Sequence, residues 1–253
     1  MDLHQALDAV LATGRIEAGV GTLSEKTLHA VLKLMYESDP DYHEVSVSGY
    51  VADILRGNHI TEIQTSNFTY LKDKLATFLP NYKVRVVYPI IRNKYLSRMD
   101  KKTGELIKGR LSPKKGSFYD GFWELYNIRE YIRDPNFSID MVILDADEIR
   151  TDNDGSNKRA RHKTVKYDTI PRQVVEVVSF DRIEDYLMAI PLSLGDEFTA
   201  KDFQNALATE HVYVPVYSIL KILEDIGIIY RDGKKGRAIL YRLGAEYGKE
   251  YGH

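Results

Sequence analysis

Two acidic residues, Asp53 and Glu62, have the type and spacing that could do chemistry in this sequence. They lie in Tyr50-Val-Ala-Asp-Ile-Leu-Arg-Gly57-Asn58-His-Ile-Thr-Glu62-Ile-Gln64. Gly-Asn favours the positive φ angles of a tight hairpin turn, and a β-prone run flanks it on each side. A turn at Gly57-Asn58 sets Arg56 opposite His59, Leu55 opposite Ile60 and Asp53 opposite Glu62. Side chains alternate with period two along a strand, so Val51, Asp53, Glu62 and Gln64 should project from one face. Opposed Cβ atoms sit about 4.5–5.5 Å apart, a distance at which like charges destabilise a sheet. A hard divalent cation with oxygen ligands would relieve that repulsion, which makes Asp53 and Glu62 candidate ligands for such a metal. The competing reading is an exposed edge hairpin carrying two solvated acids.

The elements that must position this pair are legible on either side of it. Leu28, Val31, Leu32 and Met35 have the i, i+3, i+4, i+7 spacing of an amphipathic helix. Glu44 to Ser48 reads as a strand before the hairpin. Phe68, Leu71, Leu75, Phe78 and Leu79 mark a second amphipathic helix, which Pro80-Asn81 ends. Tyr82 to Ile91 is a strongly apolar strand.

An Asp ending one strand and Glu-x-Gln in the next, set between two amphipathic helices and ahead of an apolar strand, resembles the motif of the PD-(D/E)xK nuclease superfamily. The resemblance covers residues 24–91. It implies an α/β fold of the restriction-endonuclease type, with a mixed sheet flanked by helices. It also implies a Mg²⁺-dependent (or Mn²⁺-dependent) DNA endonuclease, in which Asp53 and Glu62 hold the metal and Gln64 orients the attacking water. Glu25, near the start of the first helix, matches a helical Glu found in some junction resolvases. Most of the superfamily carries Lys where this chain has Gln64, so Lys72 or Lys74 on the second helix would have to supply the missing charge. The alternative is a catalytically inactive DNA-binding or regulatory protein that keeps the nuclease fold.

Composition bounds these readings. At 253 residues, 43% apolar and 28% charged, the chain suits one large globular domain or two smaller ones. It has no apolar run long enough for a membrane span and no basic-then-apolar leader, so a cytoplasmic protein without membrane contact is expected. With no cysteine, disulfides and thiolate zinc sites are excluded. The net charge of −2 argues against a uniformly basic nucleic-acid binder, so the distribution matters more than the sum. One basic cluster is Lys101, Lys102, Lys108, Arg110, Lys114 and Lys115, in a stretch that reads as a long hairpin or loop. A second is Lys158, Arg159, Arg161, Lys163 and Lys166, and a third is Arg231, Lys234, Lys235 and Arg237. Each alone reads as a solvated loop; together, beside an acidic metal site, they point to phosphate-backbone contacts with DNA.

The third cluster belongs to a second unit. Ile183 to Ile190 reads as a short helix, and Thr199-x-x-Asp202 as a capping pair opening another through Leu207. Val216, Ile219, Leu220 and Leu223 give a third apolar stripe stopped by Gly227. Residues 228–243 then read as strand, basic glycine turn, strand. Three helices followed by a β-ribbon resemble a winged helix-turn-helix domain, so the chain is expected to divide into 1–182 and a smaller α+β domain at 183–253. The resemblance implies DNA contact by the third helix, where Lys221 lies, and by the wing with Lys234, Lys235 and Arg237. The third helix should expose Tyr217, Ser218, Lys221, Glu224 and Asp225, a face that is not strongly basic, which argues against base reading. Winged helices also serve as assembly modules, and a homodimer is expected.

Residues 92–180 carry fewer signals. Ser117 to Tyr126 reads as an aromatic-rich helix, and Met141 to Leu144 as a buried strand ending in Asp145-Ala-Asp147-Glu148. Asp-x-Asp can hold a metal in glycosyltransferases, but acids at a strand end suffice to explain it. No Walker loop, dinucleotide fingerprint or nucleophile elbow is present.

Overall fold

A computed structural model describes residues 1–12, 26–100, 103–152, 164–209, 211–245 and 247. Glu25, Lys101, Lys102, Lys158, Arg159, Arg161 and Lys163 lie outside these described residues. The chain runs α1 (Leu3–Ala12), α2 (Thr27–Tyr36), β1 (His43–Val47), β2 (Tyr50–Arg56), β3 (His59–Ile63), α3 (Lys72–Phe78), β4 (Lys83–Met99) and β5 (Leu106–Leu111). It continues through α4 (Gly121–Leu125), β6 (Phe137–Asp152), β7 (Thr164–Phe180), β8 (Glu197–Thr199), α5 (Ala200–Thr209), α6 (Val216–Asp225), β9 (Ile229–Lys235) and β10 (Ala238–Leu243).

The large sheet has the order β1-β2-β3-β4-β6-β7, with β5 paired to β4. β1, β2 and β3 form an antiparallel meander. β4 and β6 run in the same direction, since Asn93 meets Asp145 and Arg98 meets Asp152 as both numbers rise. β7 runs back against β6, where Arg150 meets Thr164 and Asp145 meets Gln173. The protein is therefore α/β, with a large mixed sheet flanked by helices, as expected.

Two units share this chain. The first comprises Met1–Thr65, Val87–Gly116 and Met141–Val178. Its core lies between α2 and the sheet: Leu28 and Leu32 pack with Ile63, Val87, Val142, Leu144 and Ala146. Full burial of side chains this size contributes about 1.5–3 kcal/mol each. The opposite side of α2 packs Ala30 and Val31 on Leu3, Ala6 and Val10 of α1. Leu3, Ala6, Leu7 and Val10 of α1 carry the helical spacing. β1 and β2 are separate strands joined at Ser48-Gly49, with Val47 opposite Tyr50.

The second unit comprises Ser66–Val86, Ser117–Asp140 and Ser179–His253. Its last border lies close to the expected 182/183 boundary, and it takes in two earlier segments as well. Phe68, Leu71, Leu75, Phe78 and Leu79 are all buried along a 3-10 turn (Phe68–Leu71) and α3, as their spacing predicts. The expected aromatic helix at 117–126 is a correction. It is a 3-10 turn (Phe118–Asp120), the short α4 and a second 3-10 stretch (Tyr126–Tyr131). Phe122 sits edge-on to Phe180 and Tyr186, while Trp123 turns to solvent. Satisfying that ring cluster takes precedence over a continuous helix. Toward the C-terminus a 3-10 helix (Ile183–Ala189), β8, α5 and α6 precede the β9–β10 hairpin, and the strands form a sheet of order β8-β10-β9. No helix among the described residues is long and apolar enough to cross a membrane.

Candidate functional site

The Gly57-Asn58 turn forms as read, with Gly57 at φ 62° and pairs Arg56–His59, Leu55–Ile60 and Ile54–Thr61. The ladder ends at Ile54–Thr61, and Asp53 and Glu62 occupy the next position, where β2 and β3 begin to part. There each carboxylate takes up a backbone amide of the opposite strand. The Ile63 N–H donates to Asp53 Oδ2 at 2.7 Å, and the Asp53 N–H points at Glu62 Oε1 at 3.4 Å. These crossed donors relieve part of the like-charge repulsion that the sequence assigned wholly to a metal. The solvated-edge reading fails: Glu62 is 3% exposed, the Asp53 side chain 15%, and β2 lies between β1 and β3.

α2 supplies two neighbours that sequence reasoning missed. His29 Nε2 lies 3.4 Å from Asp53 Oδ2. Lys33, one turn further along α2 and therefore on the same stripe, is buried and pairs with Glu44 of β1 at 2.5 Å. Glu44 adopts a left-handed φ of 53°, a conformation that is costly for a non-glycine residue and clusters near functional sites. The i, i+4 spacing of His29 and Lys33 was visible in the sequence, but nothing local says which strands they meet. Gln64 is anchored by its backbone, whose N–H donates to the Val87 carbonyl of β4 at 2.9 Å.

The donor set fits a hard cation. An ionised carboxylate has about four lone-pair sites, so accepting one amide leaves capacity for a metal. Mg²⁺ is commonly held by only one or two carboxylates, with water and substrate phosphate completing its shell. Among the described residues no group of three or more His, Asp or Glu side chains is arranged as a metal cage.

The basic candidates divide by what their charges already do. Lys114 and Lys115 are exposed after β5. Lys234 and Lys235 on β9 and Arg237 in the turn are exposed, and among the described residues they have no ion-pair partner. Lys221, by contrast, pairs with Asp225 at 2.6 Å and lies 3.7 Å from Glu224. The outer face of α6 is further occupied, since Tyr217 packs on Tyr126 and Asp225 takes Arg129 at 3.1 Å. Ser218, expected on that face, is 3% exposed, a correction that follows from the rotation of the helix onto its neighbours. Lys72, proposed to replace the charge missing at Gln64, is paired with Glu130 at 3.0 Å.

Asp145, Asp147 and Glu148 are also corrected: β6 continues to Asp152, so they sit within the strand and not at its end. Asp145 accepts from the Asn93 backbone and side chain at 3.0 and 2.9 Å and from Gln173 at 2.8 Å. Asp147 binds Arg172 through both oxygens, and the guanidinium stacks 3.8 Å from the Tyr95 ring centroid. Glu148 is held by Lys94 at 2.9 Å and Arg150 at 2.5 Å. An Asp-x-Asp with both acids engaged this way is a strand cross-link, not a metal motif.

A family model described as a domain of unknown function, DUF8091, matches residues 26–181. The chain is also similar to an uncharacterized protein of Treponema pallidum (strain Nichols), 29% identical over 227 residues that cover 88% of this chain and 87% of that protein. No solved structure matches. The matched stretch takes in α2, the Asp53–Glu62 hairpin and the strands carrying Glu148, and as it spans more than half of the sequence, this chain belongs to the DUF8091 family.

Proposed function

We propose that this chain is a Mg²⁺- or Mn²⁺-dependent DNA endonuclease with a restriction-endonuclease-like core and a C-terminal winged helix, acting as a homodimer. The observation that carries the reading is the placement of Asp53 and Glu62 side by side where β2 and β3 part, largely withdrawn from water and beside α2. The chain order α2, β1-β2-β3 meander, α3, β4 supports it, being the helix–meander–helix–strand order of that superfamily. The winged-helix reading is supported by the order helix, β8, α5, α6, β9, β10 with β10 between β8 and β9.

Asp53 and Glu62 would hold the metal, which when bound would polarise a phosphate and lower the pKa of its water. His29 and the Ile63 amide position the Asp53 carboxylate. Gln64 orients the attacking water by hydrogen bonding and lends it no charge. Phosphate contact falls to Lys234, Lys235 and Arg237 on the wing, because the charge of Lys221 is already neutralised within α6. The second reading, a nuclease-fold DNA-binding protein without turnover, is favoured by Gln64 itself.

Calorimetric titration with Mn²⁺ should show binding that Asp53→Ala and Glu62→Ala each abolish, and the same changes should remove metal-dependent plasmid cleavage. Binding unchanged in both variants would eliminate the metal site. Binding without cleavage, with cleavage appearing in Gln64→Lys, would select the inactive reading.

A further inference from the structure

A second charged centre lies elsewhere in the first unit, on β4, β6 and β7. Glu148 receives Lys94 at 2.9 Å and Arg150 at 2.5 Å. Arg150 spends its remaining guanidinium nitrogens on Thr164, with Nε to Oγ1 at 3.0 Å and Nη2 to the carbonyl at 2.9 Å. Two steps on along β7 from Thr164 is Lys166, and two more is Asp168, so all three side chains leave the strand in the same sense. Asp168 accepts from the Thr27 hydroxyl at 2.5 Å and the Thr27 amide at 3.3 Å, which brings Lys26, just ahead of α2, to the same centre.

Among the described residues the charges here do not balance. Four cations (Lys26, Lys94, Arg150, Lys166) stand with two carboxylates (Glu148, Asp168), an excess of two positive charges. Both carboxylates are committed, one to Lys94 and Arg150 and the other to Thr27. Arg150 has no donor nitrogen left unassigned, whereas Lys94 gives Glu148 one of its three N–H groups. Lys26 and Lys166 have no hydrogen-bond or ion-pair partner among the described residues. Lys26 and Lys166 are both exposed and can meet a ligand from solvent, while partial burial around the Lys166 ammonium lowers its pKa. Glu148 and Asp168 oppose that shift, and Lys26 and Lys94 add to it. Like charges gathered this way repel one another, and an anion that bridges the ammonium groups relieves that repulsion.

We propose that Lys26, Lys94 and Lys166 form a binding site for a phosphate-bearing anion. A phosphate group carries up to two charges and several acceptor oxygens, matching the excess charge and the ammonium donors left over, whereas a single carboxylate would leave a net positive centre. The site is separate from Asp53 and Glu62 and does not depend on a metal there.

The test uses the full-length chain at fixed ionic strength, with inorganic phosphate replacing chloride. Calorimetry should show saturable phosphate binding and melting should shift upward. Lys166→Gln and Lys26→Gln should each weaken phosphate affinity by about tenfold or more. In chloride alone Lys166→Gln should melt at or above the unchanged protein, because one of the mutually repelling cations has gone; this separates lost binding from lost folding. A DNA duplex that displaces phosphate identifies a backbone phosphate as the ligand, and one that does not identifies a small phosphorylated molecule; both outcomes keep the site. Phosphate affinity unchanged in both variants, or no saturable binding by the unchanged protein, overturns it.

Discussion

Glu148 shows how a single buried acid in this sheet is kept ionised. Burial by itself would raise its pKa, but hydrogen bonds from Lys94 and Arg150 more than offset this and hold it below the ordinary 4.5. A carboxyl with a depressed folded value stabilises the fold above its unfolded pKa and loses that contribution as pH falls through the folded one. Lys94→Met should therefore cost about 1–2 kcal/mol at pH 7, less than the 3–5 typical of a fully buried pair, because Arg150 remains and the Lys94 side chain is 34% exposed. The difference from the unchanged protein should shrink in urea titrations carried below about pH 4.5, where protonation of Glu148 removes what Lys94 was contributing. A difference independent of pH would mean that Lys94 acts through packing and not through Glu148.

At the scale of elements, α5 and α6 depend on their ends. Thr199 and Asp202 form a reciprocal capping box at the start of α5: the Thr199 amide donates to Asp202 Oδ2 at 2.9 Å, and the Asp202 amide to Thr199 Oγ1 at 3.2 Å. The backbone and hydroxyl donors of Thr199 lower the Asp202 pKa. Gly227 ends α6 at φ 86°, its N–H donating to the Glu224 carbonyl while that of Ile228 reaches Leu223. Thr199→Ala and Gly227→Ala should each lower unfolding stability by about 1 kcal/mol, measurable as a shifted urea midpoint at unchanged slope, with Thr199→Ser largely neutral. No shift for Gly227→Ala would mean that the turn after α6 relaxes to a negative φ.

For the whole molecule, the partners of the C-terminal segment decide which fragments can be studied. Tyr186 packs on Phe122 and Phe180, Tyr217 on Tyr126, and Asp225 binds Arg129. Residues 1–182 alone would expose these apolar rings and should lose cooperative melting and associate nonspecifically. Oligomeric state is therefore a question for the full chain. If the Asp53–Glu62 pair acts as proposed, one pair would make one centre and cut one strand per encounter, so double-strand cleavage in one encounter would call for a two-fold dimer. Light scattering of the full chain at micromolar concentration should give twice the 29.0 kDa chain mass. A monomer unchanged by added DNA would defeat the dimer and leave nicking or binding as the proposed activities.

What the sequence by itself determined is what forms between near neighbours along the chain. The register around Gly57-Asn58, the apolar stripes of α2, α3 and α6, the Thr199–Asp202 cap and the β9–β10 hairpin follow from turn chemistry and period, and each appears where the residues put it. Tertiary structure alone decided the fate of the charges. It brought His29 to Asp53, set Arg129 on Asp225, and gave Asp145 partners from β4 and β7, Asn93 among them at a separation of 52 residues. Charges act through space, and which ones meet is set by strand order and helix rotation. A carboxylate in the sequence can be a ligand, a cross-link or a cap, and only the residue packed against it determines which.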